Sequence, residues 1–339
     1  MRTFFSFDTP AMRRVRFSLL IGLLAGSMLL LAGCDSGGSN GGDDSKTVTE
    51  LTVDTGNLST LESAVKTAGL ASTLGNENNT YTVFAPKNSA FSSIEDGDLT
   101  ENSSLLNKVL TYHVVEGQEI TSGDLSDGQT QTVETLEGAD LTISKNSGTV
   151  TVNGATVTTA DVQASNGVVH LIDGVLLQRA NAVERASISP NFSILTKLVR
   201  QENLANDLSG PGPDGQDGLT VFAPTDQAFL NALDAQSNGG NGDGDIDNSE
   251  IPPNAGQILK YHVLDDVFYA ADEPSAPSGT QIPSGRTSGV GTLEGSNVTI
   301  DRSGSSVTIN PGDDNAGVAA PDVDVSNGVI HGIDTVLIP

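Results

Sequence analysis

The chain contains Thr-Val-Phe-Ala-Pro at residues 82–86 and again at residues 220–224. Three other phrases also occur twice, in the same order: Tyr-His-Val at 112–114 and 261–263, Thr-Leu-Glu-Gly at 135–138 and 292–295, and Ser-Asn-Gly-Val at 165–168 and 326–329. The first pair of phrases is 138 positions apart and the last pair 161. Solenoid repeats are far shorter, roughly 20–50 residues, whereas roughly 140 residues suffice for an independent hydrophobic core. The sequence therefore predicts two copies of one globular module.

In both copies, helical periodicity comes before strand alternation. In the first copy, Leu58, Leu61 and Val65 recur at three- and four-residue intervals, which indicates an amphipathic helix. Ser59 and Glu62 have the spacing of a capping box at its start. A second helical stripe precedes the first Tyr-His phrase, and the second copy repeats both stripes. The second stripe of the first copy is Leu105, Leu106, Val109 and Leu110; those of the second copy are Phe192, Leu195, Leu198 and Val199, and then Ile258 and Leu259.

The later half of each copy alternates apolar and polar residues. Hairpins are predicted over 141–152 and 298–309, because each range joins two alternating runs through a turn that contains glycine. The last run, 168–177 or 329–338, is nearly all apolar, which predicts a central and buried strand. Helices packed on such a mainly antiparallel sheet give each module the α+β fold class.

The N-terminus has the three parts of a secretory signal. Three arginines between residues 13 and 16 precede an apolar run of about 16 residues at 17–32, which ends in Leu-Ala-Gly-Cys. That run is shorter than the roughly 20 residues that span a membrane. The tetrapeptide resembles the bacterial lipobox, and the resemblance implies cleavage before Cys34 and attachment of lipid to its sulfur. An uncleaved N-terminal anchor is the alternative.

These features set the predicted domain boundaries. Residues 1–33 are predicted to be a lipoprotein signal peptide and residues 34–46 a flexible tether rich in Gly, Ser and Asp. The modules are predicted over 47–180 and 184–339. Cys34 is the only cysteine, so the chain forms no internal disulfide.

The chain is strongly acidic. It has 16 Lys and Arg against 43 Asp and Glu, a formal net charge of −27. Four of the basic residues and one of the acidic residues precede Cys34, so the mature chain would carry −30. Such a charge repels nucleic acid and anionic lipid, and it argues against binding to a phosphate backbone. It favours a salt-rich habitat, where ions screen the self-repulsion, although an ordinary acidic secreted protein is the alternative.

The chemistry-bearing residues do not form an enzyme motif. The sequence has no hydrolase elbow, zinc-protease motif or phosphate-binding loop, so neither an enzyme nor a cofactor is predicted. The histidines all lie in the repeated phrases: His113, His170, His262 and His331. His170 and His331 follow two apolar residues, and we predict that they form hydrogen bonds inside their modules. Metal binding and catalysis by the histidines are the alternatives.

An acidic stretch of the second copy is a candidate calcium site. Asp243, Asp245 and Asp247 alternate with other residues and are followed by Glu250. Ca²⁺ prefers six to eight oxygen ligands on a flexible backbone. The register does not fit an EF-hand, because the sixth position from Asp243 is Asn248 and not glycine. A solvated acidic loop is therefore the alternative.

Residues 220–229 resemble the first signature of fasciclin-like domains, and residues 327–338 resemble the second. The Tyr-His pair lies between them, and both copies contain all three motifs in order. The first copy departs from the pattern at 87–89, where Lys-Asn-Ser replaces Thr-Asp-Gln, a change that could weaken a local side-chain hydrogen bond. The resemblance covers nearly all of 47–339. It implies a β-wedge or sandwich with helices packed against it, and adhesion or binding outside the cell rather than catalysis.

The resemblance also supplies candidate binding residues. In animal members of the family, the Tyr-His pair is associated with receptor contact, and the matching residues here are Tyr112, His113, Tyr261 and His262. We expect a lipid-anchored adhesion or matrix-binding protein of the cell envelope, facing the periplasm or the cell surface. Its expected partners are the membrane, through Cys34, and a surface protein or polysaccharide. An envelope carrier for a small ligand or polysaccharide is the alternative, and a carrier would have one deep apolar pocket.

Overall fold

The chain folds into two modules with closely similar orders of helices and strands. The computed structural model describes residues 46–54, 56–94, 99–100, 102–210, 218–235, 251–270, 281–309 and 315–339. We call residues 46–180 module 1 and residues 181–339 module 2. Both belong to one compact unit, Ser45–Pro339. Each module combines helices with a mixed sheet, so the predicted α+β class is confirmed.

Module 1 has its helices mainly in its first half. The helices are α1 (Val48–Asp54), α2 (Ser59–Thr67), α3 (Ala71–Leu74) and α4 (Ser103–Tyr112), with short 3-10 helices at Gly56–Leu58 and Asn88–Ser93. The strands are β1 (Tyr81–Pro86), β2 (Val114–Glu116), β3 (Thr130–Glu134), β4 (Asp140–Asn146), β5 (Thr149–Val152), β6 (Ala155–Ala164) and β7 (Gly167–Ile172). The predicted helical stripes form α2 and α4, and the predicted hairpin is β4–β5.

Module 2 repeats this order. Its helices are α5 (Ala182–Ser187), α6 (Ser193–Gln201), α7 (Ala205–Ser209), α8 (Asp226–Ala235) and α9 (Ala255–Tyr261). Its strands are β8 (Leu219–Pro224), β9 (Val263–Leu264), β10 (Gly285–Gly291), β11 (Asn297–Ser303), β12 (Ser306–Ile309), β13 (Ala316–Val325) and β14 (Gly328–Ile333). The second predicted hairpin is β11–β12. Among the described residues, no helix is both long enough and apolar enough to cross a membrane.

The repeated phrases form two neighbouring interior strands of each sheet. The strand order is β2-β1-β7-β6-β5-β4-β3 in module 1 and β9-β8-β14-β13-β12-β11-β10 in module 2. The β1–β7 and β8–β14 pairs are parallel, and they place Phe84 beside His170 and Phe222 beside His331. The other neighbouring strands run antiparallel. Thr-Val-Phe-Ala-Pro and Ser-Asn-Gly-Val, far apart in sequence, therefore belong to adjacent strands.

The sheet of module 1 has a core on each side. On one side, α2 and α4 pack against Val83 and Ala85 of β1. On the other side, Phe84 lies in a cluster with residues of β4 and β5. Strands are about 4.8 Å apart in a flat sheet, so β1 and β4 would be roughly 19 Å apart. Because Phe84 and Ile143 of β4 line one small cavity, the sheet must bend over itself. Strand β6, which lies between β1 and β4 in the sheet, has two register shifts, and because such bulges bend a strand we infer that the sheet bends there.

Two local predictions are wrong. The capping box at Ser59 and Glu62 does not form: Leu58, and not Ser59, is the N-cap residue of α2, and Glu62 pairs with Lys66. Asn88, which follows β1 in the chain, accepts the hydrogen bond from the Thr60 N–H (3.0 Å). The final strand also ends at Ile172 rather than at Leu177. Beyond that point the backbone leaves the sheet, and the apolar side chains are buried by other contacts.

Candidate functional site

The first Tyr-His pair lies where α4 ends. His113 follows the last residue of α4, and its Nδ1–H donates to the carbonyl oxygen of Val109 at 2.7 Å. The N–H of Leu176 donates to Nε2 of the same ring at 2.9 Å. These partners assign the neutral tautomer with hydrogen on Nδ1. The ring therefore joins the end of α4 to the segment that follows β7.

His262 repeats this arrangement in module 2. Its Nδ1–H donates to the carbonyl oxygen of Ile258 at 2.8 Å, and the Leu337 N–H donates to its Nε2 at 2.9 Å. His113 and His262 are each only 2% exposed. Burial removes the imidazolium form from water, and it lowers the pKa of both rings to about 4. Both histidines are thus neutral at neutral pH.

The adjacent tyrosines connect the helix ends to the far side of each sheet. The Tyr112 hydroxyl donates to the carbonyl oxygen of Asp140 at 2.8 Å and accepts from the Asn153 side chain at 2.7 Å. The Tyr261 hydroxyl donates to the carbonyl oxygen of Asn297 at 3.3 Å. Tyr112 and Tyr261 are 3% and 4% exposed, and burial raises the pKa of both hydroxyls. All four candidate binding residues are therefore buried in their modules, and their contact with a ligand stays a prediction.

The other two histidines fix the bent strands. In module 1, His170 Nε2–H donates to the carbonyl oxygen of Ile120 at 2.7 Å, and its Nδ1 accepts from the Asp161 N–H at 3.2 Å. Its ring stacks on Phe84 with centroids 5.5 Å apart. Asp161 has a φ of 60° and lies at the register shift of β6. The predicted internal hydrogen bonds of this histidine are confirmed.

His331 makes the matching contacts in module 2. It donates from Nε2 to the carbonyl oxygen of Phe268 at 2.7 Å and accepts from the Asp322 N–H at 3.1 Å. Its ring stacks on Phe222. Asp322 also has a positive φ, 55°. Since the same ring contacts recur at the same bulge in both modules, these histidines hold the bend of the sheet.

Asn166 and Asn327 have a larger role than the turn that the sequence indicates. Asn166 Oδ1 accepts from the Val48 N–H at 2.9 Å, and its Nδ2 donates to the carbonyl oxygen of Leu74 at 2.8 Å. Asn327 makes equivalent bonds to Ala182 and Leu208. Each asparagine thus joins two helices to the sheet. The recurrence of Asn-Gly was the available sequence signal, but it did not identify the partners.

The cavities beside the Tyr-His pairs are small. One of about 20 Å³ lies next to His113, and one of about 30 Å³ lies next to His262. Ligand pockets usually measure about 300–1,000 Å³, so neither cavity could hold a metabolite. A wider open groove of about 340 Å³ lies beside α2, and its apolar lining includes Ala64, Phe91 and Leu106.

Some candidate residues cannot be placed. Cys34 lies outside the described residues. So do the four calcium candidates, which are Asp243, Asp245, Asp247 and Glu250. Within the part of the chain that the structure describes, no group of three or more His, Cys, Asp or Glu side chains is arranged to hold a metal ion.

Comparison with known proteins identifies similar chains. A fasciclin domain model matches the chain over residues 56–178 and 190–339. The chain is 44% identical to Protein sll1483 of Synechocystis sp. over 140 residues, which cover 40% of this chain and 75% of that protein. It is 33% identical to Transforming growth factor-beta-induced protein ig-h3 of Sus scrofa over 266 residues, which cover 76% of this chain and 35% of that protein.

The chain also aligns with a solved structure. That structure is a FAS1 domain pair from the insect cell adhesion molecule Fasciclin I. The alignment covers 86% of this chain and 95% of that chain, with 20% sequence identity and a TM-score of 0.38.

Proposed function

The chain belongs to the fasciclin domain family, whose domains are non-enzymatic and associated with adhesion, and we propose that it is an adhesion or matrix-binding protein of the bacterial cell envelope. Lipid on Cys34 anchors it in this proposal, and the two modules face the periplasm or the outside of the cell. The proposed partners are the membrane, through Cys34, and a surface protein or polysaccharide. A strong negative charge makes nucleic acid an unsuitable partner.

One observation supports a binding role most directly. The histidines of the repeated phrases use both ring nitrogens in hydrogen bonds inside the modules. A general base needs a ring nitrogen that can reach a substrate proton. Both nitrogens of each of these rings are already hydrogen-bonded inside the module. The repeated residues instead make two similar scaffolds. Two weak sites on one chain bind a repetitive partner more tightly than one site alone.

We place the ligand contacts at the Tyr-His segments. Tyr112, His113, Tyr261 and His262 would act there by holding the helix end against the sheet. Strand β2 follows the first pair directly and lies at the edge of the sheet, where Glu116 is exposed. Exposed residues of this corner, rather than the buried rings, would touch the partner.

Binding can be tested on matrix-coated surfaces. Labelled Ser45–Pro339 should bind extracellular polysaccharide or matrix protein prepared from the source cells, over a range of NaCl concentrations. We expect saturable binding that Glu116→Lys reduces, because the substitution reverses a charge at the proposed contact. Asp173→Lys is the matched control, since Asp173 is also exposed, also accepts one hydrogen bond, and lies at the opposite end of β7 from Glu116. No saturable binding to any such surface would contradict the proposal.

Anchoring is tested separately. Cells expressing the full chain should retain it in the membrane fraction, and Cys34→Ala should release it or leave it unprocessed. Mass spectrometry of the mature N-terminus should find a lipid-modified residue 34. An unmodified Cys34 in a soluble mature protein would overturn the lipid anchor without affecting the adhesion proposal.

Calcium binding by module 2 is a separate proposal. Alternating carboxylates at 243–250 have the hard oxygen ligands that Ca²⁺ prefers. Titration calorimetry with CaCl₂ should give heat that Asp245→Ala removes. An equal response in the variant would leave a solvated acidic loop as the interpretation.

The groove beside α2 favours a second candidate function, a carrier for a small ligand. Its volume of about 340 Å³ lies within the range of ligand sites, and its lining combines Phe91 and Leu106 with the polar Ser59 and Ser63. A library of small apolar ligands should then raise the melting temperature of Ser45–Pro339, and Ala64→Trp should abolish the shift by filling the groove. Failure of every ligand to raise the melting temperature would reject this function.

A further inference from the structure

Helix α5 lies between the two modules and has two different faces. One face belongs to module 2: Ala182, Val183 and Ala186 line the cavity beside His262 together with residues of α6 and β14. The Ala182 N–H also donates to Asn327 of module 2 at 2.9 Å. A helix places residues three and four apart on the same side. The other positions of α5 therefore lie on a different side of the helix, where they can contact another surface.

The second face of α5 contacts module 1. Glu184 accepts two hydrogen bonds from the Lys108 ammonium of α4, at 3.0 and 3.2 Å. Ile188, which caps α5, is fully buried and belongs to the core cluster of module 1 together with Leu106 and Val109. Glu184 and Ile188 are four positions apart, so they lie on one side. The ion pair is mostly withdrawn from water, with the Lys108 and Glu184 side chains 30% and 20% exposed.

The corresponding helix of module 1 differs in sequence at a position of this second face. Val48 and Ala182 occupy equivalent positions, because each donates its N–H to the repeated asparagine. Counting from them, Asp54 stands where module 2 has Ile188, although Glu50 matches Glu184. Gln257 likewise stands where module 1 has Lys108, five residues before the histidine. Ile188 and Lys108 therefore distinguish the two copies, whereas Glu184 is common to both.

We propose that α5 is a shared helix that packs on both modules and fixes them as one rigid pair. The core of module 1 is complete only when Ile188 fills it, and the Lys108–Glu184 pair sets the angle of α5 against α4. A capping box of Asn181 and Glu184 holds the Glu184 side chain at the start of the helix. One consequence rests on the proposed function: the two Tyr-His segments would meet a partner at a constant separation.

The distance between the modules tests this proposal without any ligand. Ser45–Pro339 contains no cysteine, so spin labels can be attached at Thr132→Cys in β3 and Ser288→Cys in β10, which are both exposed. Pulsed electron resonance should give one narrow distance distribution. Ile188→Asp, which introduces the residue found in α1, should broaden it. Ile338→Asp is the matched control, because Ile338 is 41% exposed and lies outside these contacts; it should leave the distribution narrow.

A second variant keeps the test decisive if Ile188→Asp unfolds module 1. Lys108→Glu places two carboxylates opposite each other and leaves the apolar core intact, so it should broaden the distribution while circular dichroism stays unchanged. A broad distribution in the unsubstituted protein would overturn the proposal. A narrow distribution in every variant that stays folded, including Lys108→Glu alone, would overturn it as well. Neither result bears on whether the protein binds matrix, because no ligand is present.

Discussion

At the scale of the residue, Asn166 connects three parts of module 1. Its side chain accepts from the N–H of α1 and donates to the carbonyl oxygens of Leu74 and Asn76, at 2.8 and 3.3 Å. The side chain is buried, so water could not replace these partners. A buried backbone group that loses its partner costs about 1–3 kcal/mol. One side chain therefore stabilises the docking of α1 and α3 on the sheet.

We predict that Asn166→Ala lowers the free energy of unfolding by about 2–4 kcal/mol, because the Val48 N–H and the Leu74 carbonyl both lose a buried partner. Urea unfolding followed by circular dichroism measures the change. Asn78→Ala is the control, since Asn78 is exposed and its side chain donates to the nearby Asn76 side chain; it should change stability by less than about 0.5 kcal/mol. Equal effects of the two substitutions would contradict the role of Asn166.

The next residue, Gly167, permits the close approach of β7 to β1. Its φ is +142°, and a Cβ there would lie 1.9 Å from the carbonyl oxygen of Tyr81. We predict that Gly167→Ala destabilises the protein by about 3 kcal/mol or more, from backbone strain and from overlap with β1. Gly56→Ala should be nearly neutral, because a Cβ at Gly56 meets no atom within 4 Å and the φ is not left-handed. Thermal unfolding of the two variants separates them, and similar melting temperatures would reject this explanation.

At the scale of the element, the first long helix of each module is capped by a residue from the segment after the central strand. Asp226 accepts from the N–H groups of Ser193 and Ile194, at 3.2 and 2.9 Å. Asn88 accepts from the Thr60 N–H at 3.0 Å and also donates to the Gly56 carbonyl at 3.2 Å. Asp226 accepts both of these hydrogen bonds, whereas Asn88 accepts one and donates the other. Each residue type therefore fits the groups that it contacts.

We predict that exchanging these caps destabilises both modules. Asp226→Asn would place an amide NH₂, which is a donor, opposite a backbone N–H, which is also a donor. Asn88→Asp would place a carboxylate, which is an acceptor, opposite the Gly56 carbonyl oxygen, which is also an acceptor. Each exchange should cost about 1 kcal/mol. Denaturant unfolding of the single variants measures this, with Asn78→Asp as an exposed control. A gain in stability from Asn88→Asp would show that the helix dipole outweighs the lost donor bonds.

The sequence predicted the elements better than the contacts between them. Repeated phrases located the central strands because β1 and β7 are buried on both faces and tolerate little change. The cap of α2 was missed because Asn88 is 28 positions away from Thr60, whereas capping boxes are local patterns. Helix α5 was not predicted, since it is short and its apolar residues serve two different cores. The spacing of apolar residues in a sequence identifies a helix with one buried face. It does not identify a helix with two buried faces.

The sequence also did not predict that the Tyr-His pairs are buried. Family resemblance marked Tyr112 and His113 as candidates for contact with a partner, but it could not show which atoms reach solvent. Their hydrogen bonds connect the end of α4 to residues 28 to 63 positions away. Only the folded sheet brings these groups together.

At the scale of the whole molecule, two opposing effects of acid compete. The net charge of −27 produces self-repulsion, which weakens as carboxylates gain protons below about pH 5. The buried histidines act in the opposite direction and at higher pH. His113 and His262 have a folded-state pKa of about 4, against an unfolded value of 6.5. Between these values the unfolded chain binds more protons than the folded chain.

We therefore predict that stability falls as the pH drops from 6.5 to 4. Each of the two histidines contributes about 3 kcal/mol above pH 6.5, and this contribution is lost progressively until the pH reaches the folded pKa. Urea unfolding at pH 7.5, 6, 5 and 4, in 1 M NaCl to screen the acidic surface, measures the slope. The double variant His113→Gln, His262→Gln should be less stable at pH 7.5 but should show a flatter pH dependence, because glutamine does not titrate. Parallel curves for the two proteins would mean that carboxylates, and not the paired histidines, determine the acid sensitivity of this fold.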